Sequence, residues 1–361
     1  MKRKKHFFYI SETNIPSTSA NSIHVAKMIE ASSDRDYISN LIVPYCDSIS
    51  NYKKFYNIKG KINVISIFKK KININFFYRI IFSLKILLFF KKKKNNCIVS
   101  RSVITSLILS ANKIVNVVEI HHKLNGMTNL IFKLINKRIN HYINFILIHK
   151  NLKKILNLSG KNIIILNDAV NLDDFLSKRK VKKNDSIVYI GSFFLGKGLE
   201  LIYSIAKKRP DFKFDLYGDT TNIILSDYKL KNINFFGHIK YNKIPKILAK
   251  YDYAIMPYGK KVNVKSSNLD VSNTMSPLKM FDYLASSQVI LATDTNVYKH
   301  VLKNNYNSIL IKHDKINKWI EAIDVVKKNK PLRKKLKNNA FKTAKKYTWN
   351  SRLELIEKKF F

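Results

Sequence analysis

The sequence has few of the residues that crosslink small secreted domains or build flexible linkers. Its 361 residues include only two cysteines, seven prolines and nine glycines. Cys46 and Cys97 are too few to form a metal site by themselves, and such sparse cysteine is typical of a reducing compartment. With 46% hydrophobic and 12% aromatic residues the chain is expected to fold. Its length predicts two domains, at roughly 150 residues for each.

Acidic residues are also scarce. Asp and Glu total 24 against 67 Lys and Arg, which gives a net charge of +43. Nucleic-acid binding is one explanation of such a charge. The lysines, however, are spread over most of the chain and accompany abundant Ile and Asn, which an AT-rich genome favours. The sequence has no zinc-ligand spacing, RNA-binding aromatic signature or DNA-reading helix-turn-helix. We therefore expect no nucleic-acid partner, and a basic surface that faces anionic lipid or a phosphorylated substrate.

No apolar run reaches the ~20 residues of a membrane-spanning helix. The basic residues 2–5 imitate the start of a signal peptide, but the apolar residues 7–10 are fewer than the ~7–15 of a signal core. We interpret them as a first buried strand and expect a cytoplasmic protein. Residues 74–94, an aromatic-rich segment that ends in four lysines, predict either a helix on the inner face of the plasma membrane or an ordinary packed helix.

Short apolar runs alternate with helical patterns along the chain. Strands are predicted at residues 7–10, 38–43, 63–67, 97–100, 114–118, 145–148, 163–166, 187–190, 212–217, 233–236, 253–256, 289–292 and 309–311. Helical spacing appears at residues 24–30, 199–205 and 244–248. This alternation predicts parallel sheets with helices on both faces. We predict an α/β fold of two Rossmann-like, doubly wound domains that face each other across a cleft, with a first domain at 1–170, a hinge at 171–184 and a second domain at 185–343.

Residues 273–285 carry a possible anion site in the second half of the chain. Ser276 is a good N-cap and Pro277 suits the first helical position, so a helix is predicted to begin here. The unpaired N–H groups and the dipole of its first turn attract an anion. Lys279 opposes the dipole and is unfavourable there unless an anion binds. The alternative is a well-capped surface helix.

A second phosphate-binding pattern lies at residues 189–198. A strand, a glycine-containing loop and Lys197 at a helix start suit the cradling of a phosphate. The loop lacks the Lys-Ser/Thr pair of a Walker motif and the glycine spacing of a dinucleotide fingerprint. Gly218 and Gly237 end two further predicted strands, where parallel sheets bind their ligands.

These segments together resemble the retaining glycosyltransferases of family 4 over nearly the whole chain. Residues 14–25 look like the first loop and helix of that family, residues 117–121 like its Glu-x-His segment, and residues 166–171 like the turn that enters its hinge. Residues 188–198 resemble the donor loop, and residues 276–294 are the most specific match. Residues 344–361 are similar to the closing helix that crosses back onto the first domain.

The resemblance implies the GT-B fold and a nucleotide-diphosphate sugar as co-substrate, with no other cofactor. Lys197 and the backbone amides near Leu278 and Lys279 would neutralise the pyrophosphate, and Asp282 would hold the ribose. No metal is implied, because lysines and helix-end dipoles stabilise the leaving diphosphate in this fold. The donor-binding residues implied are Gly191, Ser192, Lys197, Gly198, Gly218, Gly237, Ser276, Leu278, Lys279 and Asp282.

In the first domain the resemblance implies catalytic roles for His121 and Glu119. His121 would lie near the reacting sugar and the acceptor, while Glu119 orients its loop rather than acting as a base. The acceptor-side loop would comprise Ser19, Ala20 and Asn21. Alternatively, His121 and His122 form a structural pair at the end of a strand and take no part in catalysis.

The chain departs from the family pattern at positions that bear on the sugar. Thr274 stands where the first of two paired acids is expected, and the second is Asp282 instead of the usual Glu. Ser192 replaces an Arg of the donor loop. We expect a hexosyltransferase of polysaccharide or lipopolysaccharide biosynthesis that acts on a cell-envelope glycan or lipid-linked acceptor. The alternative is a catalytically silent GT-B protein that binds a glycan or scaffolds an assembly complex.

Overall fold

The computed structural model describes residues 4–93, 96–139, 141–160, 162–176, 183–221, 223–264 and 267–361. The chain forms two compact units. The first combines Met1–Asn167 with Trp349–Phe361, and the second is Asp168–Thr348.

The first unit is built on a parallel sheet whose strand order is β3-β2-β1-β4-β5-β6-β7. Its interior strands are almost entirely buried, because helices cover both faces of the sheet. The strands are β1 (Lys5–Ile10), β2 (Tyr37–Val43), β3 (Ile62–Ser66), β4 (Asn96–Ser100), β5 (Asn116–Ile120), β6 (Ile143–Leu147) and β7 (Ile163–Ile165).

Helices alternate with these strands. One face of the core joins Phe8 and Ile98 of the sheet to Phe82 and Ile86, and a second cluster surrounds Phe145. The helices are α1 (Ala20–Ser33), α2 (Ile49–Tyr56), α3 (Phe76–Phe90), α4 (Val103–Ala111), α5 (Gly126–Ile139) and α6 (Asn151–Ile155).

The second unit repeats this plan. Its strands are β8 (Lys183–Ile190), β9 (Lys213–Tyr217), β10 (Ile233–Phe235), β11 (Tyr251–Met256), β12 (Asn263–Val264), β13 (Ser267–Asp270), β14 (Val289–Thr293) and β15 (Ile309–Ile311). A parallel sheet has the order β10-β9-β8-β11-β14-β15, and β12 and β13 form a separate antiparallel hairpin. The helices are α7 (Leu199–Lys208), α8 (Ile244–Leu248), α9 (Leu278–Ala285), α10 (Ile316–Lys328) and α11 (Lys330–Ala344).

The last helix, α12 (Trp349–Phe360), belongs to the first unit and packs against α1. Its buried residues Trp349, Arg352, Leu353 and Ile356 follow the spacing of one helical face. The return of the C-terminal helix to the first domain is therefore confirmed, as is the α/β class with two parallel sheets.

The boundary between the units differs from the predicted hinge at 171–184. The first unit ends at Asn167, and Val170 donates its backbone N–H to the carbonyl oxygen of Tyr347 over 2.9 Å. The 3-10 helix Leu172–Phe175 contacts α8 and α9. The described residues of the predicted hinge therefore belong to the second unit, where the 3-10 helix contacts α8 and α9. Residues 177–182, the rest of the polar run, lie outside the described residues.

Two strand predictions need correction. The strand predicted at 114–118 is β5, which lies two residues further on, because Ile114 is still part of the turn that ends α4 and donates to the carbonyl oxygen of Leu109. Glu119 is thereby inside a strand. The hairpin of β12 and β13 was not predicted, since its strands are very short and polar.

The segment predicted at 74–94 contains α3, which is capped by the Asn75 side chain. Phe82 and Ile86 face the core, whereas Phe77 and Leu88 are both 65% exposed. Among the helices in the described residues, none is both long and apolar enough to cross a membrane. Lys94, the last lysine of the segment, lies outside the described residues.

Candidate functional site

Glu119 is the centre of a polar cluster in the core of the first unit. Its carboxylate is buried and accepts a 2.7 Å hydrogen bond at Oε2 from the Tyr9 hydroxyl. At Oε1 it accepts from Nε2 of His121 over 2.6 Å and from Nη2 of Arg352 over 2.8 Å. His24 Nε2 lies 2.8 Å from the same oxygen. Two of the predicted catalytic residues, Glu119 and His121, are thus in direct contact.

Four elements bring these side chains together. Glu119 lies near the carboxyl end of β5, and Tyr9 near that of β1, while α1 carries His24 and α12 carries Arg352. The His24 ring packs edge-on between the rings of His121 and Trp349, with 4.8 Å between centroids in each pair. The aromatic contacts fix the imidazole of His121 in one orientation.

The charge of Glu119 is stabilised despite its burial. Burial alone would raise the pKa of this carboxyl group, but Arg352, His24 and His121 outweigh it and hold the pKa well below its usual range. Glu119 is therefore ionised at neutral pH. An ionised carboxylate only accepts hydrogen bonds, so His121 must donate from Nε2.

His121 is neutral at physiological pH. Burial and the positive charge of Arg101 lower its pKa to about 3, against the opposite effect of Glu119. With the proton held on Nε2, the Nδ1 atom of a neutral ring is an acceptor. The group is suited to orienting a sugar hydroxyl and is too weak a base to remove a proton at neutral pH. His122, in contrast, is exposed and contacts only the Lys123 carbonyl in the described contacts, so the two histidines do not form a pair.

The same cluster also has the donor types of a metal site. Ligand atoms of His24, Glu119 and His121 all lie within 4.8 Å of one another. Arg352, however, donates to the same Oε1 that both histidines approach. A divalent cation there would share one oxygen with a buried guanidinium, which is electrostatically unfavourable. The arrangement fits a hydrogen-bonded network better than a cation site.

The predicted acceptor-side loop follows β1 in the first unit. Ser19 caps α1 by accepting from the backbone N–H of Ser22, and Ala20 is the first residue of that helix. Asn21 donates to the Thr13 hydroxyl over 2.6 Å. The three residues therefore shape the entrance of α1, and their role toward an acceptor stays a prediction.

In the second unit, two lysines converge where the parallel sheet ends. The ammonium of Lys279 lies 3.7 Å from the centre of the Tyr189 ring and 5.3 Å from that of Tyr258, and Lys197 lies 5.2 Å from the Tyr258 ring. The Lys279 ammonium is buried and has no hydrogen-bond partner in the part of the chain that the structure describes. Aromatic faces attract cations but do not neutralise them.

The surroundings lower the pKa of both lysines. Burial lowers the pKa of Lys197 to about 8. Burial, and then the neighbouring charge of Lys197, hold the pKa of Lys279 well below its usual range, against the weaker opposite effect of Asp282. Two desolvated cations to which no carboxylate of the described residues comes within hydrogen-bond distance make a binding site for a multiply charged anion.

Glycines line the strand ends next to these lysines. A Cβ on Gly191 would meet Lys279 Nζ at 2.3 Å, so this glycine gives the lysine its space. Gly191 donates to the carbonyl oxygen of Tyr217, and Gly218 donates to that of Gly237, both over 2.9 Å. The predicted residues Gly191, Gly218 and Gly237 thus lie side by side at the carboxyl ends of β8, β9 and β10.

The loop that leads into α7 places Lys197. Gly198 has a φ of +92° and is the N-cap of this helix, and a Cβ there would lie 2.0 Å from the Pro257 carbonyl oxygen. The Ser192 carbonyl accepts from the Tyr189 hydroxyl over 2.7 Å. The loop is therefore fixed by the backbone of the strand end that carries Tyr258.

The start of α9 corrects one prediction. Pro277, and not Ser276, is the N-cap, and no side chain caps the helix, which begins at Leu278. The Ser276 hydroxyl instead accepts from the backbone N–H of Asp168 over 3.0 Å. The extended backbone of Pro277 shifts the first turn by one residue, so Leu278 and Lys279 are its first two residues.

The two acid positions of the family pattern have different surroundings. Asp282 is buried within α9 and accepts at Oδ1 from the Tyr241 hydroxyl over 3.1 Å. Thr274 is buried and its backbone N–H donates to the Val271 carbonyl. The nearby Asp270 binds the backbone of Val262 and Ser272 and does not take the place of the missing acid.

Several residues of these clusters were not predicted. Tyr9, His24 and Arg352 surround Glu119, and Tyr189 and Tyr258 surround the lysines. Arg352 had a detectable signal, because it is a charged residue within the apolar face of the last helix. The tyrosines had none, since aromatic residues in or next to strands are ordinary.

Residues 172–343, all within the second unit, match the family model described as glycosyl transferases group 1. A curated relative, an uncharacterized glycosyltransferase of Methanocaldococcus jannaschii, is 23% identical over 168 residues. That match covers 45% of this chain and 44% of the relative, so it spans less than half of either.

Solved structures resemble the chain over almost its full length. A glycosyltransferase from Rickettsia africae has a TM-score of 0.74 at 14% identity and covers 99% of this chain and 98% of its own. TarM from S. aureus has a TM-score of 0.72 at 14% identity, with 100% and 99% covered. HepE from Anabaena, solved with UDP and glucose, has a TM-score of 0.69 at 10% identity, with 98% of each chain covered. At these identities the likeness shows the fold, which is GT-B.

Proposed function

We propose that the chain, whose residues 172–343 match the glycosyl transferases group 1 model and whose fold is GT-B, transfers a sugar from a nucleotide-diphosphate sugar to a cell-envelope glycan or lipid-linked acceptor. The observation that carries the proposal is the desolvated pair of Lys197 and Lys279. Lys279 lies beside Gly191 in the first turn of α9, and both lysines approach the Tyr258 ring. A diphosphate supplies the missing negative charge.

In this mechanism the second unit holds the donor and stabilises the leaving group. The lysines and the first-turn N–H groups of α9 hold the diphosphate as its negative charge grows, and this stabilisation requires no metal. Asp282 holds the ribose. His121 accepts a hydrogen bond from a sugar hydroxyl at Nδ1, while Glu119 keeps the imidazole in place. We propose retention of the anomeric configuration, as in the family that the sequence resembles.

UDP is the first nucleotide to test, because HepE and TarM were solved with UDP. Calorimetry with UDP, GDP and their sugar conjugates would measure donor binding directly. We expect micromolar to millimolar binding of one diphosphate, lost in the Lys197→Met, Lys279→Met double variant. The charge-matched control is Lys207→Met, which removes an exposed lysine of α7. Absence of binding by every diphosphate would refute the proposal.

The acceptor is proposed to be presented at a membrane surface. Phe77, Leu84 and Leu88 are exposed on one face of α3, next to the exposed lysines at positions 91–93. Apolar and cationic groups together favour the interface of an anionic bilayer. We expect sedimentation with phosphatidylglycerol vesicles but not with phosphatidylcholine vesicles, and its loss in Phe77→Ser, Leu88→Ser. Absence of sedimentation with either lipid would leave a soluble glycan as the acceptor.

A catalytically silent glycan-binding or scaffold protein is the second candidate. Thr274, at the position of the first family acid, favours it, since no carboxylate is placed there. Donor binding without hydrolysis or transfer, over a panel of glycan and lipid-linked acceptors, would support this candidate. Slow donor hydrolysis that depends on His121 would exclude it.

A further inference from the structure

Arg101 is a cation of the first unit that the proposed mechanism does not use. It directly follows β4, and its backbone N–H donates to the Ile10 carbonyl over 2.8 Å. The residue is thus fixed where β1 and β4 end. Its Nη1 atom is buried and has no hydrogen-bond partner among the described residues.

The two carboxylates of this region, Glu12 and Glu119, have other hydrogen-bond and ion-pair partners. Glu12 accepts from the Ser102 hydroxyl over 2.5 Å and forms a 2.8 Å ion pair with Arg79. Glu119 takes Arg352 as its guanidinium partner over 2.8 Å. Arg101 therefore carries a partly buried charge that no protein carboxylate balances in the described contacts, which is unfavourable in the absence of a ligand.

The surroundings of Arg101 attract an anion. Ser102, the next residue, is the N-cap of α4 and donates its hydroxyl to Glu12, so Arg101 directly precedes the positive end of that helix dipole. β4 and β5 are neighbouring parallel strands with Ser100 opposite Val118, so Arg101 and His121 follow adjacent strand ends, and the charge of Arg101 contributes to the lowered pKa of His121. A planar guanidinium matches the two oxygens of a carboxylate or a phosphate.

As an extension of the proposed function, we propose that Arg101 binds a carboxylate or phosphate group of the acceptor beside His121, so that the enzyme selects anionic acceptors. The carboxylate would come from an acidic sugar, and the phosphate from a sugar phosphate or a lipid-linked carrier. In both cases the guanidinium fork contacts two oxygens of the anion, and His121 remains available to a hydroxyl.

The first experiment separates a ligand-binding arginine from a structural one. Arg101→Gln removes an unbalanced charge, so the melting temperature of the ligand-free protein should be equal to that of the wild type or about 2 °C higher. Arg35→Gln is the matched control, because Arg35 of the same unit pairs with Glu357 over 2.7 Å. A melting temperature several degrees lower in Arg101→Gln alone would assign Arg101 to the fold and overturn the proposal.

The second experiment uses small anions and does not depend on donor binding. In a Lys197→Met, Lys279→Met background, phosphate and acetate are titrated at constant ionic strength, and the melting temperature is followed. We expect one of the two anions to stabilise this background and to lose its effect when Arg101→Gln is added. Acetate as the stabiliser indicates an acidic sugar, and phosphate indicates a phosphorylated acceptor. Equal stabilisation with and without Arg101, or none at all, would overturn the proposal.

The third experiment compares acceptors that differ only in charge. With a donor that binds, transfer to a glucoside, a glucuronide and glucose 6-phosphate is measured for wild type and Arg101→Gln. We expect kcat/KM for the preferred anionic acceptor to fall about 10- to 100-fold, with transfer to the neutral glucoside and the Kd of UDP unchanged. A weaker Kd for UDP would assign Arg101 to the donor. Failure of UDP binding in the wild type would refute the proposed function but leave the anion titration valid.

Discussion

The guanidinium of Arg352 donates from Nη2 to Oε1 of the buried Glu119 over 2.8 Å, which joins the last helix of the chain to the end of β5. The same guanidinium donates from Nε to the Asn167 carbonyl. Glu119 in turn accepts from His121. The C-terminal helix thus supplies the counter-charge that keeps the His121 ring in its position.

Replacing Arg352 by Met should destabilise the first unit. The change leaves Glu119 as a buried, poorly compensated carboxylate, and breaking such a pair costs about 3–5 kcal/mol. Urea denaturation of the variant should show this loss in the free energy of unfolding. Adding Glu119→Gln should restore part of it, because the unbalanced charge is then gone. Equal stability of the wild type and the Arg352→Met variant would show that the pair has no structural role.

The effect of the Arg352–Glu119 pair on His121 can be measured separately from its effect on stability. Arg352→Lys keeps a positive charge but loses the second hydrogen bond, so the protein should stay folded while donor turnover falls. The affinity for UDP, which is assigned to the second unit, should not change. A parallel loss of UDP affinity would mean that the residue acts through the overall fold and not through Glu119.

Replacing Lys279 by Met should change affinity and stability in opposite directions. A hydrogen bond to a charged group contributes about 1.5–3 kcal/mol, so UDP should bind about 10- to 100-fold more weakly. The ligand-free protein should be as stable as the wild type or more so, because the buried ammonium is removed. Calorimetry and thermal denaturation of the same preparation test both effects. A variant that is less stable and binds UDP normally would place Lys279 in the fold alone.

Affinity for UDP should depend on pH through Lys197. The pKa of this lysine in the free protein is about 8, and the diphosphate requires its protonated form. The Lys197 contribution to binding should therefore be complete below pH 8 and weaken as the pH rises above it, with proton uptake on binding. Lys197→Arg should reduce the dependence between pH 7 and 9, because the guanidinium stays protonated, and the remainder is assigned to Lys279, whose pKa is also lowered. A flat wild-type profile over the same range would contradict the assignment.

The regular parts of the fold were predictable because they depend on local apolar pattern. The second half of β8 and most of β14 are apolar runs that end on a turn, and Gly191 and Gly218 lie at strand ends as the sequence indicated. The lysine pair was also named from the sequence, since Lys197 and Lys279 each stand beside a helix start.

Other features depend on contacts between distant segments, which no local pattern encodes. Ser276 has the composition of an N-cap, yet its hydroxyl binds the distant backbone of Asp168, and Pro277 takes the cap. Arg352 and Glu119 are far apart in sequence, so their pairing could not be read from spacing. The return of the last helix to the first unit is what brings them together.

The close approach of strand ends in the second unit gives a steric prediction. A Cβ on Gly218 would lie 2.0 Å from the Gly191 carbonyl oxygen, a contact that the backbone must relieve by moving. Gly218→Ala should therefore cost about 1–3 kcal/mol and displace the loop against which Lys279 packs, so UDP should bind more weakly. Gly259→Ala is the matched control, because a Cβ there meets no atom closer than 3.4 Å. Urea denaturation and calorimetry of both variants measure the two effects. If Gly218→Ala were as stable as Gly259→Ala and bound UDP equally well, the packing of Gly218 against Gly191 would not shape the donor loop.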